Sequence, residues 1–228
     1  MMPSCQRITH EMTTTEIHQI LTQNRTTRSL YRGIYPCDLL PRYALSQSQK
    51  PALIVVNHAP STTKGTHWSL LFFPKSVQSP AYYFDSFGRP IAHPSLADIK
   101  SFINHNSTKS GFSYNKIKLQ DDRSSSCGQF AIAVAWLLAR GVSPHNIDNY
   151  FVKRSLKLND CTLRKMIKEI TKSYLMLWLS LLWWKWKAST SSSSQSGRSS
   201  YYRRYPSLSG WSCDRMQWWW WWRWHHHH

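Results

Sequence analysis

Short paired cysteine spacings are missing from this chain. Its five cysteines, at 5, 37, 127, 161 and 213, are odd in number and widely scattered. That excludes a disulfide-dense scaffold and a zinc signature, and it points to free thiols in a reducing compartment. No metal and no cofactor are expected. Long hydrophobic runs are missing too. The longest apolar stretch, YLMLWLSLLWW at 174–184, has eleven residues, too few to cross a bilayer. Flanked by Lys172, Lys185 and Lys187, it suits a membrane surface or a helix end packed on the body. The first residues carry no apolar h-region, so no secretory signal is expected. Acidic side chains are scarce: 11 Asp+Glu stand against 29 Lys+Arg.

The basic surplus is not confined to a tail. Residues 1–172 hold 22 basic and 10 acidic side chains, so the excess belongs to the body. A surplus of this kind favours a polyanion such as nucleic acid, though a surface can also simply be basic. At 228 residues the chain can bury one sizeable core. Residues 1–187 read as one compact domain. From 188 the composition changes, first to a polar linker, STSSSSQSGRSS, and then to a segment with five successive tryptophans and four terminal histidines. Residues 188–228 read as a low-complexity tail outside the fold.

Inside the body the periods are legible. Thr13 and Glu16 have capping-box spacing and open a helix. ALIVV at 52–56 is a continuous apolar run of buried-strand type. HWSLLFF at 67–73 and AYYFDSFG at 81–88 read as two more strands, joined by PKSVQSP, a turn with proline at each end. PSLADIKSFINHN reads as a helix opened by Ser95 and Asp98, and NKIKLQ at 115–120 as a short fourth strand. CGQFAIAVAWLLARG at 127–141 is an apolar helix closed by Gly141. SPHNIDNYF and CTLRKMIKEITKSYL add two more. Strands gathered in the middle with helices on either side predict an α+β domain with a central sheet.

The stretch DDRSSSCGQF carries the chemistry. The helix that begins at Cys127 is apolar almost all round, so it is central and buried. A cysteine at its first turn meets unpaired N–H groups and the positive end of the helix dipole, a setting that favours thiolate. Gly128 removes side-chain bulk beside the sulfur and would let a substrate backbone approach. A lone cysteine is also an ordinary core residue. A nucleophile needs a base, and the base an orienting group. If Phe73 pairs with Ala81 in an antiparallel hairpin, His67 falls opposite Phe87 and Ser69 opposite Asp85. His67, Phe87 and Asp85 then share one face, with His67 and Asp85 diagonal neighbours. A slip of one residue would destroy this. His58, His93 and His105 are rivals without an acid so placed. Gln120 ends the predicted fourth strand, seven residues before Cys127. Its amide can donate to an oxyanion, with the Cys127 N–H as second donor.

These residues resemble the adenovirus-type cysteine proteases, a family also found in related viruses and virus-like mobile elements. The likeness lies in GTHW with His67 and Trp68, YYFDSFG with Asp85, and LQDDRSSSCGQF with Gln120 and Cys127, and it covers about residues 15 to 150. LYRGIYPCDLLP and PALIVVNHAPSTTKGTHW also look like that family's first strands. Proteases for ubiquitin-like modifiers usually have a glutamine-to-cysteine separation one residue shorter, and an aspartate where this chain has Ser126. The resemblance implies a papain-like fold with permuted element order and cleavage of viral precursor proteins, often after Gly-X-Gly or Gly-Gly. It implies Cys127 as nucleophile, His67 as proton carrier, Asp85 as its orienter, Gln120 with the Cys127 N–H as oxyanion hole, and Trp68 packed beside the histidine or the acid. It also implies a monomer working in the host nucleus and the virion. Well-known members are stimulated by DNA and by a peptide disulfide-linked between acid and nucleophile. This chain has no cysteine between Cys37 and Cys127. For DNA the expected surface is Lys153, Arg154, Lys157, Arg164, Lys165, Lys168 and Lys172. The competing readings are a modifier protease, an acyltransferase using the same Cys-His-Asp set, and an inactive DNA-binding protein.

Overall fold

The computed structural model describes residues 5–92, 96–107 and 111–172. Helix α1 (Thr14–Gln23) leads into β1 (Tyr31–Pro36), β2 (Ala52–Asn57), β3 (Trp68–Phe73) and β4 (Ala81–Phe84). Helix α2 (Ala97–Asn106), strand β5 (Phe112–Tyr114) and helix α3 (Cys127–Ala139) follow. A 3₁₀ segment covers Pro144–Tyr150, and a last helix, α4, runs over 157–172. The five strands form one mixed sheet in the order β1-β2-β3-β4-β5. The outer pairs β1/β2 and β4/β5 are parallel, and the two inner pairings are antiparallel. This is an α+β architecture.

The central strands are apolar on both faces because both faces are covered. All six residues of β2 are buried. Alternation sends Leu53 and Val55 into one core with Leu70, Tyr82, Phe84 and the helices α1, α3 and α4. Ile54 and Val56 face the other way, into a second core with Leu71, Phe73, Tyr83 and the α2 residues Ile99, Phe102 and Ile103. Each such side chain contributes about 1.5–3 kcal/mol by leaving water. Ten of the thirteen residues of α3 are buried, as its all-round apolar pattern requires. At the start of α1, the Thr13 N–H donates to Glu16 Oε2 at 2.7 Å and the Glu16 N–H to Thr13 Oγ1 at 3.2 Å. The capping box thus forms as its spacing demands.

Three local readings change and one is made definite. NKIKLQ is not a strand. The pairing with β4 comes earlier, at Phe112–Tyr114, because the Asn115 side chain then takes over: it accepts the Asp85 N–H at 2.9 Å and donates to Asp85 O at 2.6 Å. An amide side chain that mimics a peptide group ends the ladder and turns the backbone away. Second, YRGIYP, within the stretch read as an entry into the first strands, does form one, the edge strand β1, with a register shift between Tyr31 and Gly33. Third, α2 has Leu96 at its N-cap with no side-chain cap, and Ser95 lies outside the described residues. Fourth, Cys5 and Cys161 are disulfide-bonded, Cα atoms 5.8 Å apart, across 156 residues of sequence. No spacing pattern reveals a pair so distant, and the bond removes the ground for expecting only free thiols and a reducing compartment. No helix among the described residues is long and apolar enough to cross a membrane. The 174–184 stretch and the boundary at 187 lie outside the described residues.

Candidate active site

His67 stands one residue before β3, and Asp85 one residue after β4. The hairpin has the register expected of it: Leu70 opposite Phe84, Leu71 opposite Tyr83, Phe72 opposite Tyr82. His67 Nε2 and Asp85 Oδ1 consequently meet at 3.1 Å. The carboxylate is 1% exposed. It also accepts the Phe87 N–H at 2.7 Å and the Tyr83 hydroxyl at 3.3 Å. Burial alone would raise its pKa, but the bond and charge of His67 and the Phe87 N–H hold it below the usual carboxylate range. The imidazole shows the converse balance. Burial pushes it down, while hydrogen bonds to Asp85 and Cys127, and their charges, outweigh this and raise it to about 9.

Cys127 is the first residue of α3 and is partly exposed. Packing of α3 on β3 brings its sulfur to His67 across sixty residues of sequence. With Nε2 given to Asp85, Nδ1 is the ring nitrogen left for the thiol. Ser126, at the N-cap, makes no side-chain cap, so the first N–H groups of α3 have no partner from it. A cavity of about 570 Å³ opens over the group, lined among others by His67, Trp68, Phe87, Gln120, Ser125 and Cys127.

Gln120 is buried on an irregular segment, not at a strand end, and lines the same cavity as Cys127. Its Oε1 accepts the Ser86 hydroxyl at 2.6 Å, and its Nε2 donates to Ser124 O at 2.6 Å. One N–H of the amide remains for a substrate oxygen, and the Ser124 carbonyl, which can only accept, settles which end of the amide is the donor. Gly88, φ +68°, closes the turn after Asp85. A Cβ there would sit 2.7 Å from the Ile117 carbonyl carbon, so this turn accepts only glycine without moving the segment that carries Gln120.

The segment before α1 is a strap across the site, and sequence reading missed it. Ile8 O accepts the Ser125 N–H at 2.8 Å, and the Ile8 N–H donates to Asp160 Oδ2 at 2.7 Å. Asp160, fully buried at the start of α4, also accepts the Ser124 hydroxyl at 2.9 Å. Further along, Met12 O accepts the Trp68 indole N–H at 3.0 Å. That places Trp68 against the strap. The aromatic neighbours of the His67 ring are instead His58, centroids 4.8 Å apart, and Phe87, 5.2 Å apart. Gly128 needs a parallel correction: the space beside it is filled by Met12 and Ile17, with Met12 Cβ 2.8 Å from where its own Cβ would be. The missing side chain admits the strap, not a substrate.

His58 joins the site as a neighbour rather than a rival. Its Nε2 lies 2.8 Å from Ser69 Oγ and 3.2 Å from Tyr83 OH. Burial, with the nearby His67 charge, lowers it to about 4. His58, His67 and Asp85 bring ligand atoms within 4.8 Å of one another, a donor set that no sequence spacing announced. His93 lies outside the described residues, and His105 is exposed on α2.

No family model matches the chain, and no curated protein matches it. The geometry therefore carries the chemical argument. A thiol, an imidazole and a buried carboxylate in sequence, beside an amide donor and a helix N-terminus, can activate sulfur as a nucleophile and stabilise a developing oxyanion. Apart from this group, Lys153, Arg154, Lys157, Arg164, Lys165, Lys168 and Lys172 are all exposed on α4 and the turn before it. Lys172 pairs with Glu169 at 2.7 Å, and Arg164 donates to Arg7 O at 2.9 Å.

Proposed function

We propose that this chain is a cysteine endopeptidase. One observation carries the reading: Cys127 and His67 line one cavity with Gln120, and the buried Asp85 carboxylate binds the His67 ring. In the reaction, Cys127 sulfur attacks a peptide carbonyl carbon. The oxyanion is held by the free Gln120 N–H and the Cys127 backbone N–H. Protonated His67 gives its proton to the leaving amine, and the C–N bond breaks to leave a thioester. Water, deprotonated by His67, hydrolyses that thioester and frees the acid. Asp85 holds the ring throughout and stabilises its positive charge whenever it is protonated. No metal or cofactor enters these steps.

The resemblance to adenovirus-type proteases supports a papain-like permuted fold and precursor proteins of viruses or mobile elements as substrates, with virion maturation in a host nucleus as the setting. The exposed cations of α4 support stimulation by DNA. A digest of a peptide library by the purified chain, with and without DNA, tests this reading. Defined cleavage that vanishes in Cys127→Ala supports it, and cleavage retained by Cys127→Ala refutes it. Cutting restricted to diglycine-ended modifiers identifies a modifier protease. Acyl transfer without hydrolysis identifies an acyltransferase.

A further inference from the structure

We propose that His58, His67 and Asp85 form a zinc-binding site, and that the ion stops the cysteine reaction by taking the imidazole that reaction needs. The inhibitory half rests on the endopeptidase reading; the binding half does not.

Two imidazoles and one carboxylate are a common three-ligand zinc set with an open fourth position. The mixed nitrogen and oxygen donors disfavour magnesium and calcium, which prefer oxygen alone, and the Irving–Williams order places zinc above iron(II) for the same donors. Ligands at about 2.0–2.1 Å around a tetrahedral ion lie roughly 3.3 Å apart. His67 Nε2 and Asp85 Oδ1 already have that spacing, at 3.1 Å. All three donors lie within 4.8 Å of one another, so an inward movement of at most roughly 1.5 Å closes the set. The two rings cross at 77°, which lets their nitrogens converge without stacking.

The surroundings suit an ion as well. Tyr83 OH and the Phe87 N–H hold the Asp85 carboxylate from behind, as outer hydrogen bonds orient metal-binding carboxylates. Among the described residues His58 Nε2 bonds to hydroxyls, of Ser69 and Tyr83, which a metal can displace without leaving a charged group unpaired. His58 has no part in the peptidase steps, and this role uses its nitrogen. The ion would sit at His67 Nε2, which leaves Nδ1 for sulfur, and Cys127 is not among the converging donors. Cys127 is therefore not a ligand, unlike in simple zinc capture by a thiol–imidazole pair.

The test is calorimetric titration of the full chain with zinc chloride, alongside His58→Gln and Cys127→Ala. Glutamine keeps an acceptor for the two hydroxyls, and the other histidines, 225–228 included, are the same in all three proteins. The expected result is one binding event present in the parent and in Cys127→Ala. In His58→Gln it weakens by more than the roughly 10–100-fold typical of losing an outer-shell partner. Cobalt(II) bound there should give tetrahedral visible bands without a thiolate charge-transfer band. Should His58→Gln fold poorly, ¹⁵N imidazole shifts of the parent chain replace it: zinc must move both the His58 and His67 Nε2 resonances. Equal binding by parent and His58→Gln, unmoved His58 resonances, or loss of the event in Cys127→Ala overturns the site. In the cleavage assay, zinc should inhibit the parent at concentrations at least about tenfold below those that inhibit His58→Gln, each measured against its own zinc-free rate. Equal inhibition overturns the inhibitory half. Zinc binding of the expected pattern in a chain that cleaves nothing leaves the site standing and removes the endopeptidase reading.

Discussion

His67 Nε2 lies 3.1 Å from Asp85 Oδ1, and the register of β3 on β4 is the reason. Leu70 faces Phe84. Continued in phase, that pairing puts His67 opposite Phe87, on the same face as Asp85. A shift of β4 by one residue would turn the carboxylate to the opposite face of the sheet, away from His67.

Asp85→Asn should therefore damage turnover far more than binding. The ring would lose its fixed orientation and the charge that raises it to about 9. We expect kcat to fall by about 10² or more, the equivalent change in a Ser-His-Asp triad costing about 10⁴, with KM little altered. Steady-state kinetics against a peptide substrate measure both. An unchanged kcat would exclude Asp85 from the reaction.

The two neighbouring histidines should give stability slopes of opposite sign. His67 is raised from 6.5 to about 9, so the folded state holds a proton the unfolded chain has lost. That stabilisation is present below pH 6.5 and disappears as pH rises towards 9. His58 is lowered from 6.5 to about 4, so its contribution is present above pH 6.5 and disappears as pH falls towards 4. Urea unfolding across this range should lose the alkaline slope in Asp85→Asn and the acid slope in His58→Gln.

Gln120→Ala removes an oxyanion donor and should slow the chemical step by about 10²–10³. The same side chain ties Ser86 to Ser124, so the melting temperature should drop as well. A variant that loses stability but not rate would show that Gln120 is a brace and not a donor.

Asp160 positions the nucleophile loop through Ser124 and the strap through Ile8. Asp160→Asn replaces one acceptor oxygen with a donor and leaves a buried bond unmade, at a cost of about 1–3 kcal/mol. We expect a lower melting temperature together with a fall in kcat that exceeds any change in KM. A fall in stability alone would confine Asp160 to the fold.

Lys165→Glu with Lys168→Glu tests the α4 surface. If DNA binds there, affinity should fall, and the slope of log affinity on log salt should shrink by about 1 for each phosphate no longer neutralised. Cleavage without DNA should be unaffected. An identical salt slope would place any DNA-binding surface elsewhere.

Much of this was legible along the chain because it depends on near neighbours. The Thr13–Glu16 box, the buried run of β2, the β3–β4 register and the apolar α3 starting at Cys127 follow from spacing within a turn or a hairpin. The misreadings have a common source. Asn115 ends a strand only because Asp85 lies beside it. Trp68 turns to Met12, and Gly128 admits Met12, because a strap more than fifty residues away in sequence crosses there.

Residue order by itself therefore determined which segments are helical or extended, which faces are apolar, and which side chains have the chemistry to react. Only the tertiary structure decided that Cys5 meets Cys161, that Asp160 reaches Ile8 and Ser124, and that His58 stands beside His67. Local propensities act over a few residues of backbone, whereas these contacts form where packed faces happen to bring distant side chains together, and no short-range pattern encodes them.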